Sequence, residues 1–191
     1  MKTFGPKPWL MPQPVLIIGT YNPTTGQPVA MNAAWGGQWD ANEVMISLGP
    51  HATTDNLEAN PEFTLTFATT NTLVAADYVG LVSARKVPDK LTRTGWTVEK
   101  APHIDAPLFT DFPLTLECRV KERIGETNDG FNLIGEIIDI VLTDEAYLAS
   151  DGRPDISKMG LIVFDPIRHG YYAIGEKAGQ AFSDGKKLMK G

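Results

Sequence analysis

Cysteine is almost absent: Cys118 is the one thiol in 191 residues. No internal disulfide can form, and no C-x-x-C redox or metal motif exists. Histidine is nearly as scarce. His51, His103 and His169 lie far apart in the chain without metal-type spacing, so no metal centre is expected. No G-x-G-x-x-G follows a strand-like run, which argues against a dedicated dinucleotide-binding domain. A P-loop, an H-E-x-x-H and a G-x-S-x-G are also missing. Acid–base and nucleophilic chemistry therefore have no anchor, and no catalytic side chain is nominated. If the protein is an enzyme, a bound cofactor supplies the reactivity.

Long apolar runs are missing too. The opening MKTFGPKPWLMPQPVLIIGT is interrupted by prolines as far as Pro14. Neither a signal peptide nor a membrane span is expected, and the default location is the cytoplasm. Basic residues are outnumbered, 17 Lys and Arg against 23 Asp and Glu, for a net charge of −6. That balance argues against nucleic acid as the main partner, while leaving room for a local basic pocket.

What is present is ordinary for a water-soluble globular chain: 42% hydrophobic and 21% charged residues. The length suits a single domain over 1–191. At this size folding buries roughly 70% of the unfolded surface, enough for an autonomous core.

Strand patterns dominate. Residues 15–20 are compact and apolar, turn chemistry follows at 22–26, and a second strand is expected near 28–34. Residues 43–48 alternate, with Val44, Ile46 and Leu48 on one face. Thr53 or Thr54 is expected to cap a short helix that ends before Pro61. Phe63, Leu65 and Phe67 alternate with threonines. Asn71 reads as the cap of a second helix stopped by Gly80. Residues 81–112 are irregular. The period-2 signal is cleanest at 114–121, and a polar turn at 125–130 leads to 131–143. That last strand is apolar on both faces, which calls for cover from a second subunit or from a helix. Residues 145–159 form a small excursion. Helical crossovers are missing, so an antiparallel barrel or strongly curved sheet with peripheral helices is expected.

The most informative stretch joins PVAMNAAWGG to EVMISLGPHATTDNLEANPEFTLTF. Small side chains let a flat ligand approach the backbone. Hydroxyls and free N–H groups at a helix start can hold a phosphate. Together they suit a mononucleotide with a flat ring, and flavin mononucleotide (FMN) is the expected ligand.

These segments, followed by DYVGLVSARKVPDKL and YYAIGEKAGQAFSDGK, resemble in order and spacing the flavoredoxin branch of the flavin reductase-like, FMN-binding split-barrel family. The resemblance implies a mainly β, antiparallel, Greek-key-like split β-barrel with short peripheral helices. It also implies a homodimer with one noncovalent FMN per subunit near the interface. Carried onto this chain, it sets Asn32, Ala33, Ala34 and Trp35 along the flavin ring. It sets Ser47 and Leu48 beside the ring or ribityl chain, and Thr53, Thr54 and Asn56 near the phosphate. Ser83, Arg85 and Lys86 come within reach of the cofactor, with Lys90 a further candidate. Arg85 and Lys86 would pair with phosphate or stabilise negative charge on the reduced ring. Tyr171 or Tyr172 would cover the flavin or pack the dimer, and packing is the preferred role since aromatics in such tails anchor more often than they react.

The function expected is redox: electrons pass from NAD(P)H, or from a small electron-transfer protein, through FMN to an acceptor. Two other classes stay open. One is a flavin-storage or sensing barrel without turnover; the other is a dimeric interaction protein whose basic loop is structural.

Overall fold

The computed structural model describes residues 1–127 and 129–189. Residue 128 of the polar turn and the last two residues of the 1–191 domain lie outside them. The strands and helices run in the order β1 (Gln13–Pro14), β2 (Leu16–Tyr21), β3 (Pro28–Ala33), β4 (Gly36–Asp40), β5 (Glu43–Leu48), α1 (Ala52–Ala59), β6 (Glu62–Phe67) and α2 (Leu73–Leu81). Then come β7 (Val98–Lys100), β8 (Pro107–Phe109), β9 (Leu114–Thr127), β10 (Gly130–Leu142), β11 (Ile162–Asp165) and β12 (Gly170–Ala173). The mainly β, antiparallel class expected from the sequence is what forms.

Seven strands make one sheet in the order β3-β2-β6-β9-β10-β5-β4. Every neighbouring pair is antiparallel. The non-consecutive pairings of β2 with β6, of β6 with β9 and of β5 with β10 need long connections of the Greek-key kind. Leu16 and Ile18 of β2, Ile46 of β5, Phe63 and Leu65 of β6 and Leu133 of β10 meet in one apolar interior. Residues from these four strands, together with Leu116 of β9, can share that interior because the sheet curls on itself. Gly135 lets β10 pass close to β6, since a Cβ there would stand 2.6 Å from the Phe63 ring. Cys118 lies in the same core, and burial pushes its thiol up to about 12, so it serves as a small hydrophobe.

β2 is buried on both sides, which is why 15–20 reads as a continuous apolar run. Leu16 and Ile18 face the barrel. Val15 and Ile17 face a second core with Ala76 and Val79 of α2, Phe109, Phe112 and Ile162. That outer layer is finished by a β1-β11-β12 sheet and the β7-β8 hairpin. β1 and β7 are too short to leave a periodicity in the sequence.

Two caps differ from expectation. His51, not a threonine, is the N-cap of α1, and Thr72, not Asn71, that of α2. Thr54 reaches back to α1's start: its Oγ1 accepts from His51 N at 2.8 Å and donates to Gly49 O at 2.8 Å. β10 leaves Ile138 and Ile140 exposed at 36% and 52%, and no described helix covers them. No described helix is long and apolar enough to cross a membrane.

Candidate functional site

β3, the start of α1 and the end of α2 converge on a cleft of about 280 Å³. Its wall includes Asn32, His51, Thr53, Ser83 and Lys90. Lys90 is 3% exposed, and its Nζ donates to the carbonyls of Val79 and Val82 at 2.9 Å each. Those carbonyls end α2, where the helix dipole favours a cation. Burial pushes the ammonium down to about 8. An ammonium has three N–H donors, so one is left for a ligand. Opposite, the first turn of α1 supplies N–H groups that have no partner inside the helix. The arrangement has the chemistry that suits an anion: one desolvated cation, hydroxyls, and a helix start.

Asn32, Gly80 and Leu81 also line a second compartment of about 270 Å³. Each space alone falls just short of ordinary small-molecule clefts, which begin near about 300 Å³; joined, they reach that range. α2 packs closely on β3 at the junction. A Cβ at Gly80 would stand 3.0 Å from Asn32 Cβ, and Asn32 Nδ2 donates to Ala76 O at 2.9 Å. The far wall is aromatic, with the Phe164 and Tyr171 ring centroids 5.8 Å apart. Tyr171 donates its hydroxyl proton to Asp77 Oδ1 at 2.7 Å. Burial, then the hydrogen bond to Asp77 and its charge, push that phenol up to about 12.

Ala34 connects this compartment to an apolar groove of about 630 Å³ between the N-terminal segment and the β3–β4 corner. Trp9, Trp35 and Ser47 line it. The corner is fixed by Ser47 N donating to Trp35 O at 2.8 Å.

The structure thus brings Asn32, Thr53, Ser83 and Lys90 to one cleft, Ala34 to the next compartment, and Trp35 and Ser47 to the adjoining groove. It places the remaining candidates elsewhere. Ala33 and Leu48 pack on the barrel interior, because strand alternation turns them away from Asn32, Ala34 and Ser47. Thr54 is occupied at the helix start. Asn56 is 3% exposed and donates from Nδ2 to Thr20 Oγ1 at 2.9 Å. Arg85 pairs with Asp55 in a bidentate contact of 2.9 and 2.7 Å rather than turning to the cleft. Lys86 is exposed.

His51, Asp77, Gly80 and Phe164 also line the walls, and the sequence marks none of them as a cofactor contact. His51 could have been found as the residue before the expected helix; the others meet only in three dimensions. Histidine spacing gave no metal motif, yet folding brings His103 Nδ1 within 3.5 Å of Asp139 Oδ2 and 2.6 Å of Glu117 Oε2. The Nδ1 atom is taken up by its hydrogen bond to Glu117 Oε2.

The comparisons agree with this architecture. Residues 9–155 match the model of the flavin reductase like domain. Flavoredoxin of Desulfovibrio vulgaris (Miyazaki F) is 32% identical, with 97% of this chain and 99% of that one covered and a TM-score of 0.89. Flavoredoxin from Methanosarcina acetivorans is 29% identical, with 99% and 100% covered and a TM-score of 0.87. A Shewanella frigidimarina NCIMB 400 protein with a split barrel domain shares the fold at 19% identity, with 90% and 86% covered and a TM-score of 0.77. No curated protein sequence matches. With the family model spanning most of the chain and a flavoredoxin aligned nearly end to end, the chain belongs to the flavin reductase-like family, as a flavoredoxin-like split barrel.

Proposed function

We propose that this protein binds FMN and works as a cytoplasmic redox protein of the flavoredoxin type. The observation that carries the reading is the pairing of Lys90 and the α1 start at one end of a cleft with an aromatic compartment at the other. An anion receptor joined to a slot with small-residue walls fits a phosphorylated flat ring. The flavoredoxin relatives support it, as does the shared fold of a Thermus thermophilus protein described as FMN-binding.

Bound FMN would supply the capacity to accept and release an electron pair. The chain's own groups bind and orient it. Lys90, Ser83, Thr53 and the α1 N–H groups would hold the phosphate. Asn32 and Ala34 would border the ring, with Phe164 and Tyr171 closing its far side. The groove beside Trp35 leaves a path for a donor, either NAD(P)H or a small electron-transfer protein. Trp35, Trp39, Ile138 and Ile140 are exposed apolar side chains that a homodimer would cover.

The test is a visible spectrum after FMN addition and desalting. Retained flavin absorbance supports the reading; a colourless protein with no FMN titration overturns it. Stopped-flow bleaching by NADH and by NADPH then distinguishes a reductase from a carrier, which would react poorly with both. FMN binding without turnover by any donor or acceptor would turn the reading to flavin storage or sensing.

A further inference from the structure

We propose, resting on the FMN reading above, that Asp77 makes this site hold oxidised FMN more tightly than reduced FMN. The sequence suggested the reverse, a ring flanked by Arg85 and Lys86 that would stabilise added negative charge. The structure segregates charge differently. The desolvated cation, Lys90, lies in the phosphate-sized cleft. Arg85 is held by Asp55. In the adjoining compartment, bounded by Asn32, Ala34, Phe164 and Tyr171, Asp77 is the one carboxyl side chain among the described lining residues, and no Lys or Arg is among them.

Asp77 is also fixed in place. It projects from α2, and Tyr171 on β12 donates to its Oδ1 at 2.7 Å. This bond ties the carboxylate to the aromatic wall and leaves Oδ2 as an acceptor. An oriented acceptor favours a neutral ring edge bearing N–H groups and disfavours one that has gained charge.

The sign follows from electron counting. Two electrons taken up with one proton add one negative charge to the ring. The anion would then lie beside a carboxylate in a partly desolvated slot, with its compensating cation in the neighbouring cleft. Weaker binding of the reduced form lowers the midpoint potential below that of free FMN. It also favours release of reduced flavin to an acceptor over its retention.

The experiment compares dissociation constants for oxidised FMN and, anaerobically, for FMN reduced with excess dithionite, which supplies the two electrons. The expected wild-type ratio is at least about tenfold in favour of the oxidised form, equal to about 30 mV for a two-electron couple. Asp77→Asn should bring the ratio towards one and raise the potential. Asp77→Glu should keep most of it, and Tyr171→Phe, which frees the carboxylate, should fall between. Equal wild-type affinity for both forms overturns the inference, even if Asp77→Asn fails to fold. An unchanged ratio in a folded Asp77→Asn protein does so too. Both outcomes leave FMN binding intact; no affinity for oxidised FMN would instead remove the reading on which the inference rests.

Discussion

His103 Nδ1 lies 2.6 Å from Oε2 of Glu117, a carboxylate with no exposed surface. His103 N also donates to Glu117 Oε1 at 3.1 Å, so the loop between β7 and β8 is tied to β9 through this one buried side chain. The hydrogen bond to Glu117 raises the imidazole above its ordinary range. A raised histidine contributes stability fully below its unfolded value of about 6.5, and loses it as pH rises through the folded value. The melting temperature is expected to decline across that window. His103→Phe should flatten the decline, and a scan of melting temperature against pH in both proteins checks it.

Lys90 gives the opposite linkage. Its folded value of about 8 lies below the ordinary lysine value of 10.5, so the unfolded chain holds more protons between the two. The ligand-free protein should gain stability from this group as pH rises through that interval, while FMN affinity declines because the cation is lost. Parallel thermal melts and FMN titrations from pH 7 upward, repeated in Lys90→Met, measure both trends.

Lys90→Met should also weaken oxidised FMN binding at neutral pH by about 10- to 150-fold, from a charge-assisted hydrogen bond of about 1.5–3 kcal/mol. Flavin fluorescence quenching reads this directly. An effect under threefold would remove Lys90 from the phosphate site.

Arg85→Ala combined with Lys86→Ala should change FMN affinity by less than about fivefold. Arg85 is half exposed and already paired with Asp55, and such surface pairs are worth about 1 kcal/mol or less. A larger loss in the same titration would mean that Arg85 leaves Asp55 when FMN binds.

Phe63→Ala should destabilise the fold by about 3–5 kcal/mol. The ring has no exposed surface and fills the barrel beside Gly135. Urea unfolding gives the value. A loss under 1 kcal/mol would mean that the barrel collapses around the gap.

Much of the fold was legible because alternation survives folding. β5 shows both the success and a missed use of it. Val44, Ile46 and Leu48 share one face, and that pattern already commits Leu48 to the core and Ser47 to the opposite side. The same parity separates Ala33 from Asn32 and Ala34. The cations were harder. Arg85 and Lys86 drew attention through their nearness to Ser83 in the chain, yet the partner that claims Arg85 is thirty residues away at Asp55. Lys90 looked peripheral until α2 and the loop behind it folded over its side chain. Asp77 and Tyr171 are 94 positions apart, a separation at which no local pattern announces a contact.

Ile17 and Ile18, adjacent on β2, serve the outer core and the barrel interior respectively. One ribbon of backbone is therefore common to both hydrophobic layers, and neither can melt while the other stays ordered. Denaturation should be all-or-none, with the amides of β2 among the last to exchange with deuterium.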